Sequence, residues 1–229
     1  MILGIDTSVG TAVAVVEADG VVLAEASSAN PLGHAEVIGD LLRAALGTAR
    51  ADAPLGHAGA GTPGAPAQIT AVAAGMGPGP FTGLRVGIAA ARTFALGRGV
   101  PVVPVVSHDA AALGILLDQA LLGETEAGRF AIVTDARRRE FAYTVYEGID
   151  DDGLPIRVTE PALTPRDEID TVLARFGAQR RDTTAVSAAM VALVAARAMA
   201  AGREVGPREA LYLRSPDVTL PAGPKKVGV

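Results

Sequence analysis

The 229-residue chain has no cysteine and no tryptophan, and its aromatic residues amount to 3%. Without cysteine there is no disulfide, no thiolate metal site and no cysteine nucleophile. Without tryptophan, the core must be assembled from Val, Leu, Ile and Ala packed closely, which favours α/β layering. Histidine is scarce too: His34, His57 and His108. No two of these share ligand spacing with a carboxylate, so the pattern offers little basis for a metal site or a Ser/His/Asp arrangement. His34 reads instead as a cap or contact residue ahead of a helix. No run of 18 apolar residues is free of charges and turn residues, and residues 2–5 are strand-like with no basic leader before them. The expectation is a cytoplasmic protein without signal peptide or membrane span. The formal net charge is −5, whereas an independent RNA binder is normally basic somewhere. Dense basic clusters are confined to Arg137, Arg138 and Arg139 and to Lys225 and Lys226, each short enough to read as solvated surface.

What the sequence does contain is alternating strand and helix signals. Residues 2–6 read as a buried strand, residues 11–17 as a second, and Asp19-Gly20 supplies a tight hairpin into a third at 21–26. Residues 34–47 place Val37, Ile38, Leu41, Leu42, Ala45 and Leu46 on one helical stripe, opposite Glu36, Asp40 and Arg43. Residues 51–67 are rich in Ala, Gly and Pro and read as a mobile surface loop. A strand at 69–74, a Gly/Pro loop at 75–83 and a helix at 85–96 follow. Gly97, Gly99 and Pro101 close that helix. A strand near 102–106 and a helix near 109–122 complete this half.

Superposing Asp6 on Asp135 aligns strand with strand and turn with turn, and Asp152-Gly153 falls near the position of Asp19-Gly20 in the first copy. Residues 156–160 would be the third strand of the second copy. Thr164-Pro165 resembles a capped helix start, and residues 183–201 form a further Ala-rich helix. The pattern is a βββ-then-helix unit used twice, the second copy shorter. The plainer alternative is that any two β-hairpins look alike.

A strand ending in Asp, then a small-residue turn, then a second strand, all occurring twice, is the layout of the actin/Hsp70/sugar-kinase (ASKHA) superfamily. There the two turns hold nucleotide phosphates, which requires backbone N–H groups at close approach. The first turn keeps small polar residues, so Asp6, Thr7 and Ser8 are candidate nucleotide or anion contacts. The second carries Arg137 and Arg138 where glycine would be needed. These can meet an anion by charge, but an intact two-turn clamp is not expected. No residue stands out as an activated nucleophile, and no catalytic or metal residue is assigned. The loop from Gly75 to Arg85 enters a helix N-terminus but lacks the GK[ST] ending of a Walker loop. The helix after it carries Gly83, Gly87 and Ala91 on one stripe. That stripe suits either packing inside the domain or contact with a partner helix.

Together these segments resemble the TsaB (YeaZ) family, a paralogue of TsaD within the same superfamily. The matching stretches are LGIDTS at 3–8, H-x-E at 34–36, GPGPFTGLRVGIAAARTFA at 77–95, VSHDAAA at 106–112, DARRREFAYTVY at 135–146 and YLRSPDV at 212–218. The resemblance implies an α/β fold of two ASKHA domains, each a mixed sheet with helices and the second reduced. The boundary is placed at residue 105 (1–105 and 106–229), with the extreme C-terminus able to pack back on the first. It implies a non-catalytic partner that binds and activates a TsaD-type enzyme in threonylcarbamoyl transfer to an adenosine beside the tRNA anticodon. A TsaE-like ATPase completes the assembly, tRNA is the substrate of the complex, and the chain alone would form a homodimer. No cofactor is expected in the isolated chain; ATP or ADP and a metal belong to the partner or the interface. Partner-contact candidates are His34, Glu36, Leu41 and Leu42 on the first helix and Arg85, Gly87, Ala91 and Phe94 on the second. TsaD-like enzymes carry two metal-binding histidines four apart; His108 matches the first, but Ala112 stands at the second. The segment between Phe176 and Ala188 is reduced and arginine-rich relative to the family. Two rival readings are an active ASKHA-type phosphotransferase, which needs both turns to hold nucleotide, and a metallopeptidase-like protein, which needs a metal site.

Overall fold

A computed structural model of the chain describes residues 1–30, 33–51, 68–123 and 128–214. The expected mobile loop, apart from residue 51, lies outside these residues, as do His57, Lys225, Lys226 and positions 215–218 of the last matching stretch.

Among the described residues, two sheets are built from ten strands. β1 (Ile2–Asp6), β2 (Thr11–Val16), β3 (Val22–Ser28), β4 (Ala71–Gly75) and β5 (Val102–Val105) form the first, in the order β3-β2-β1-β4-β5. β6 (Phe130–Asp135), β7 (Glu140–Ile149), β8 (Pro155–Arg157) and β10 (Gln179–Asp182) form the second, in the order β10-β6-β7-β8, with β9 (Ala162–Pro165) pairing to the other half of β7. The second order repeats the first with its last strand left out. In both, a hairpin pairs antiparallel, and the next strand, β4 or β10, runs parallel to the first. Asp6 lies opposite Ala12 and Asp135 opposite Phe141, the same spacing in each hairpin.

The central strands β1, β2 and β4 are covered on both faces, which is why they read as nearly unbroken apolar runs. Leu3, Ile5, Val13 and Val15 face α1 (His34–Ala51) and α2 (Phe81–Arg98). Ile2, Ala12, Ala14 and Val16 face α5 (Ala188–Ala200) and α3 (Ser107–Leu121). The alanine-rich sequence of α5 has a direct use. Its Ala188 carbonyl sits so close to Gly4 that a Cβ there would collide with it, so helix and strand meet nearly backbone to backbone. Glu25 of β3 fixes the start of α5, accepting hydrogen bonds from the Ala188 N–H at 2.8 Å and the Ser187 hydroxyl at 3.1 Å. A carboxylate at a helix N-terminus is favoured by the unpaired N–H groups and the dipole.

α3 joins the halves. Ala110 and Leu113 pack with α5 and the first sheet, while Ala112 and Leu116 pack on Phe130, Ile132 and Tyr146 of the second. α4 (Ile169–Phe176) covers the opposite face of the second sheet through Ile169 and Leu173. A residue-105 boundary therefore separates the sheets but not the helices, since α5 follows the second sheet in sequence and lies on the first. A buried polar cluster ties α3 to the second sheet. Arg157 Nε and the Tyr146 hydroxyl both donate to Asp109 Oδ1, at 2.7 and 2.8 Å, and Arg157 Nη2 donates to the Val205 carbonyl at 2.7 Å. Burial pushes the Asp109 carboxyl up and the Arg157 and Tyr146 bonds oppose it. Residues beyond Val205 then run along the first half: Leu211 N–H donates to the Met76 carbonyl at 2.8 Å, and Arg92 donates to the Arg208 carbonyl at 2.7 Å.

One expectation is corrected. Thr164-Pro165 is not a helix start but the end of β9, with Thr164 buried opposite Phe141 and Pro165 opposite Glu140. Helix α4 begins later, after Glu168. Proline at the end of a short edge strand forfeits little, because few ladder bonds are asked of it.

Candidate functional site

A cleft of about 460 Å³ opens where the two hairpin turns, the N-terminus of α2 and the segment 212–214 converge. Ser8 and Gly79 border it from the first half, and Asp135, Ala136, Arg137 and Arg138 from the second.

The two equivalent turns have diverged. In each, the Asp accepts a hydrogen bond from the N–H two residues on: Ser8 to Asp6 at 2.8 Å and Arg137 to Asp135 at 2.7 Å. Asp6 is then buried completely. Its Oδ1 also accepts the Ser8 hydroxyl at 2.6 Å, and its Oδ2 accepts the Ser107 hydroxyl at 2.6 Å, while Ser107 Oγ accepts the Gly77 N–H at 3.1 Å. Burial raises the Asp6 carboxyl above its ordinary range, against the pull of these donors. Thr7, also buried, donates to the Gly83 carbonyl at 2.7 Å. Asp6 and Thr7 therefore hold α2 and α3 in place rather than face the cleft; of the first-turn candidates, only Ser8 borders it.

Asp135 stays exposed and is bonded by Arg166 Nη2 at 2.6 Å. Burial opposes its ionisation, but the Arg166 bond, the Arg137 N–H and both guanidinium charges hold it below the usual carboxylate range. Arg137, Arg138 and Arg139 all have left-handed backbone, with φ of 63°, 49° and 64°. Arg214 forms an ion pair with Glu140. At the far wall, the rings of Phe81 and Tyr212 stand 4.7 Å apart, and the Arg85 guanidinium lies 3.7 Å from the centre of Phe81. The α2 N-terminus has no side-chain cap and no acidic residue in its first turn.

His108 does not reach the cleft. It is fully buried, with Nδ1 2.8 Å from Thr144 Oγ1 and Nε2 3.0 Å from Thr134 Oγ1. Burial, helped by the Arg157 charge, lowers its pKa to about 3, so the ring is neutral. Both nitrogens are engaged by hydroxyls, and Ala112, one turn on, is buried in the apolar cluster of α3. This site does not fit a metal ion.

The partner candidates fall into two groups. Glu36 and Arg85 are exposed, and Leu41, Leu42 and Phe94 are half-buried. His34, Gly87 and Ala91 are buried, His34 at the wall of the cleft. His34 Nδ1 is 2.8 Å from Thr11 Oγ1, Gly87 lies against Thr7, and Ala91 is buried under α2. The small-residue stripe thus serves the chain's own close packing, and these three are corrected as surface contacts. Sequence reasoning missed Phe81, Tyr212 and Arg214 as cleft residues. The stretch beginning at Tyr212 was visible as a motif, but nothing in its pattern says that it crosses back to α2.

Comparisons with known proteins fit this geometry. A family model described as TsaD, tRNA N6-adenosine threonylcarbamoyltransferase, matches residues 59–157. An uncharacterized protein of Mycobacterium bovis is 37% identical over 171 residues, covering 74% of this chain and 67% of the relative. The tRNA threonylcarbamoyladenosine biosynthesis protein TsaB of Haemophilus influenzae is 37% identical over 87 residues, covering 37% of this chain and 34% of that protein. Among solved structures, YeaZ from Pseudomonas aeruginosa superposes with a TM-score of 0.66 at 21% identity, covering 93% of this chain and 99% of that one. A second Pseudomonas aeruginosa structure, of a protein with similarity to peptidase YeaZ, has a TM-score of 0.68 at 22% identity, with the same coverage.

Proposed function

The chain belongs to the TsaB (YeaZ) family, and from that premise we propose that it acts in tRNA threonylcarbamoyladenosine biosynthesis as a non-catalytic subunit that binds and activates a TsaD-type enzyme. The observation that carries the non-catalytic part is the state of the buried titratable groups. Both oxygens of Asp6 and both nitrogens of His108 already have protein partners, and both side chains are buried and do not line the cleft. The catalytic metal and nucleotide are assigned to the partner or to the interface with it. A TsaE-like ATPase is the third component, and tRNA is the substrate of the assembly rather than of this chain.

The partner surface is assigned to the outer side of α1 and α2, which pack beside each other. Leu96 of α2 is 84% exposed, a large apolar side chain without cover within the described residues. Gly39 and Gly47 of α1 and Gly97 of α2 have open space where a side chain would stand, so a partner helix can come close to the backbone. Glu36, Leu41, Leu42, Arg85 and Phe94 belong to the same two helices. With no partner present, this face would bury itself against a second copy, giving the homodimer.

Light scattering of the chain mixed with a TsaD-type protein tests the proposal, with Leu96→Asp as the probe. An exposed substitution leaves stability within about 0.5 kcal/mol, while a charge in the centre of an apolar contact should weaken the heteromer by at least about tenfold. A heteromer of unchanged affinity in the variant would move the interface elsewhere. No heteromer at micromolar concentration would remove the partner role.

A further inference from the structure

Two stretches singled out in the sequence, the one through Glu140 and the one through Arg214, meet beside the cleft, and the partner role makes no use of their meeting. Residues 205–214 run from the end of the second half, along the first, and back to the second. Their root is tied down. Val205 pairs with Val105, its carbonyl accepts Arg157 Nη2 at 2.7 Å, and a Cβ on Gly206 would collide with the Pro104 carbonyl.

Beyond the root the segment is lightly held. Residues 207–214 are half-buried or exposed throughout. Arg92 donates to the Arg208 carbonyl at 2.7 Å, and the Leu211 N–H donates to the Met76 carbonyl at 2.8 Å. Tyr212 lies against Phe81, with Arg85 Nε 3.4 Å from its hydroxyl. These contacts are all with the first half. A segment with so little buried apolar contact belongs to the low end of local stability. Its tip reaches the second half through the ion pair of Arg214 with Glu140, whose side chains are 34% and 30% exposed. Tyr212, Leu213 and Arg214 also line the cleft. The pair is not needed to join the halves, because α3 already does so through buried packing and the Asp109–Arg157 bonds.

We propose that residues 207–214 are a lid on the cleft, hinged at Gly206 and latched by the Arg214–Glu140 pair, so that breaking this pair uncovers the cleft. The lid is a property of the chain alone and does not depend on the partner role. An ion pair of this exposure shifts an open–closed equilibrium by about two- to fivefold. Salt weakens it: raising the ionic strength from about 0.01 M to about 1 M shortens the screening length from about 30 Å to about 3 Å.

Hydrogen exchange of the full chain, read by mass spectrometry, tests the lid, with Glu140→Gln as the unlatched variant. At low salt, exchange across residues 207–214 should rise about two- to fivefold in the variant, while β1 and α5 keep their protection. High salt should bring the unsubstituted chain to the variant's rate and leave the variant where it was. The charge exchange Glu140→Arg with Arg214→Glu should restore slow exchange. The chain has no tryptophan, so Tyr212→Trp places one fluorophore on the lid, and its quenching by neutral acrylamide should rise when Glu140→Gln is added. Unchanged exchange and quenching in the variant, or exchange of the unsubstituted chain that ignores salt, would overturn the latch. A rise spread equally over 207–214, β1 and α5 would make the pair a structural joint and overturn the lid.

Discussion

His108 allows a sharp test of whether the buried chemistry of this chain is structural. The ring is fully buried between Thr134 and Thr144, and its pKa stands at about 3 against an ordinary 6.5. The unfolded chain therefore takes up a proton near pH 6.5 that the folded chain refuses until about pH 3. Stability from this group is complete above pH 6.5 and is lost as the pH falls, by about 1.4 kcal/mol per unit within the window. Between pH 7 and pH 5 the loss is on the order of 2 kcal/mol, a large share of the stability of an ordinary domain. Asp6 and Asp109 act with the opposite sign. Burial raises both, so the folded chain protonates them first and gains stability as the pH falls towards the ordinary carboxylate range. A wild-type curve alone mixes these effects. His108→Gln separates them, because the amide can still meet both hydroxyls but does not titrate. Urea unfolding followed by circular dichroism at pH 7, 6 and 5 should show the advantage of wild type over the variant shrinking by about 2 kcal/mol across that range. Parallel curves would mean that the ring titrates alike in both states. That would refute the buried neutral wedge and reopen His108 as a ligand.

Two further predictions concern the joints of the fold. Arg157→Met leaves Asp109 and the Tyr146 hydroxyl buried without their cation, and urea unfolding should show a loss of about 3–5 kcal/mol, partly recovered in the double variant with Asp109→Asn. Equal losses in the single and double variants would refute the pairing. Glu25→Gln removes the charge at the start of α5 and should cost about 1 kcal/mol, read as a melting temperature lower by about 2–4 °C; an unchanged melting point would mean that Ser187 caps this helix unaided.

The large features of the fold were legible because they follow from local chemistry. Strands buried on both faces must be apolar along their length, and residues 2–5 are. The repeat appeared in the alignment of Asp6 with Asp135 because both hairpins need the same Asx bond at the same register. The misreadings have a common cause. Thr164-Pro165 satisfies the local rules for a helix start, but β7 offers it a strand partner from more than twenty residues away. Gly83, Gly87 and Ala91 announce a close approach without saying to what. For the two glycines the answer lies in Thr7 and His34, far earlier in the chain. The cleft was half legible for the same reason. Its arginines form a visible run, whereas Tyr212 and Arg214 join it only because the chain returns past Met76.

The divergence of the two turns bears on the proposed non-catalytic role. A phosphate clamp needs both turns open to the same ligand. Here the first has closed on itself: Asp6 holds Ser8 and Ser107, Thr7 holds α2 at Gly83, and Thr11 holds α1 through His34. Two of these bonds, from Thr7 and Thr11, fix the starts of the two helices assigned to the partner surface, and the Asp6–Ser107 bond fixes the start of α3. Under the proposed partner role, this filled turn would be the rigid mount of the docking face, and a rigid mount lowers the entropy that binding must overcome.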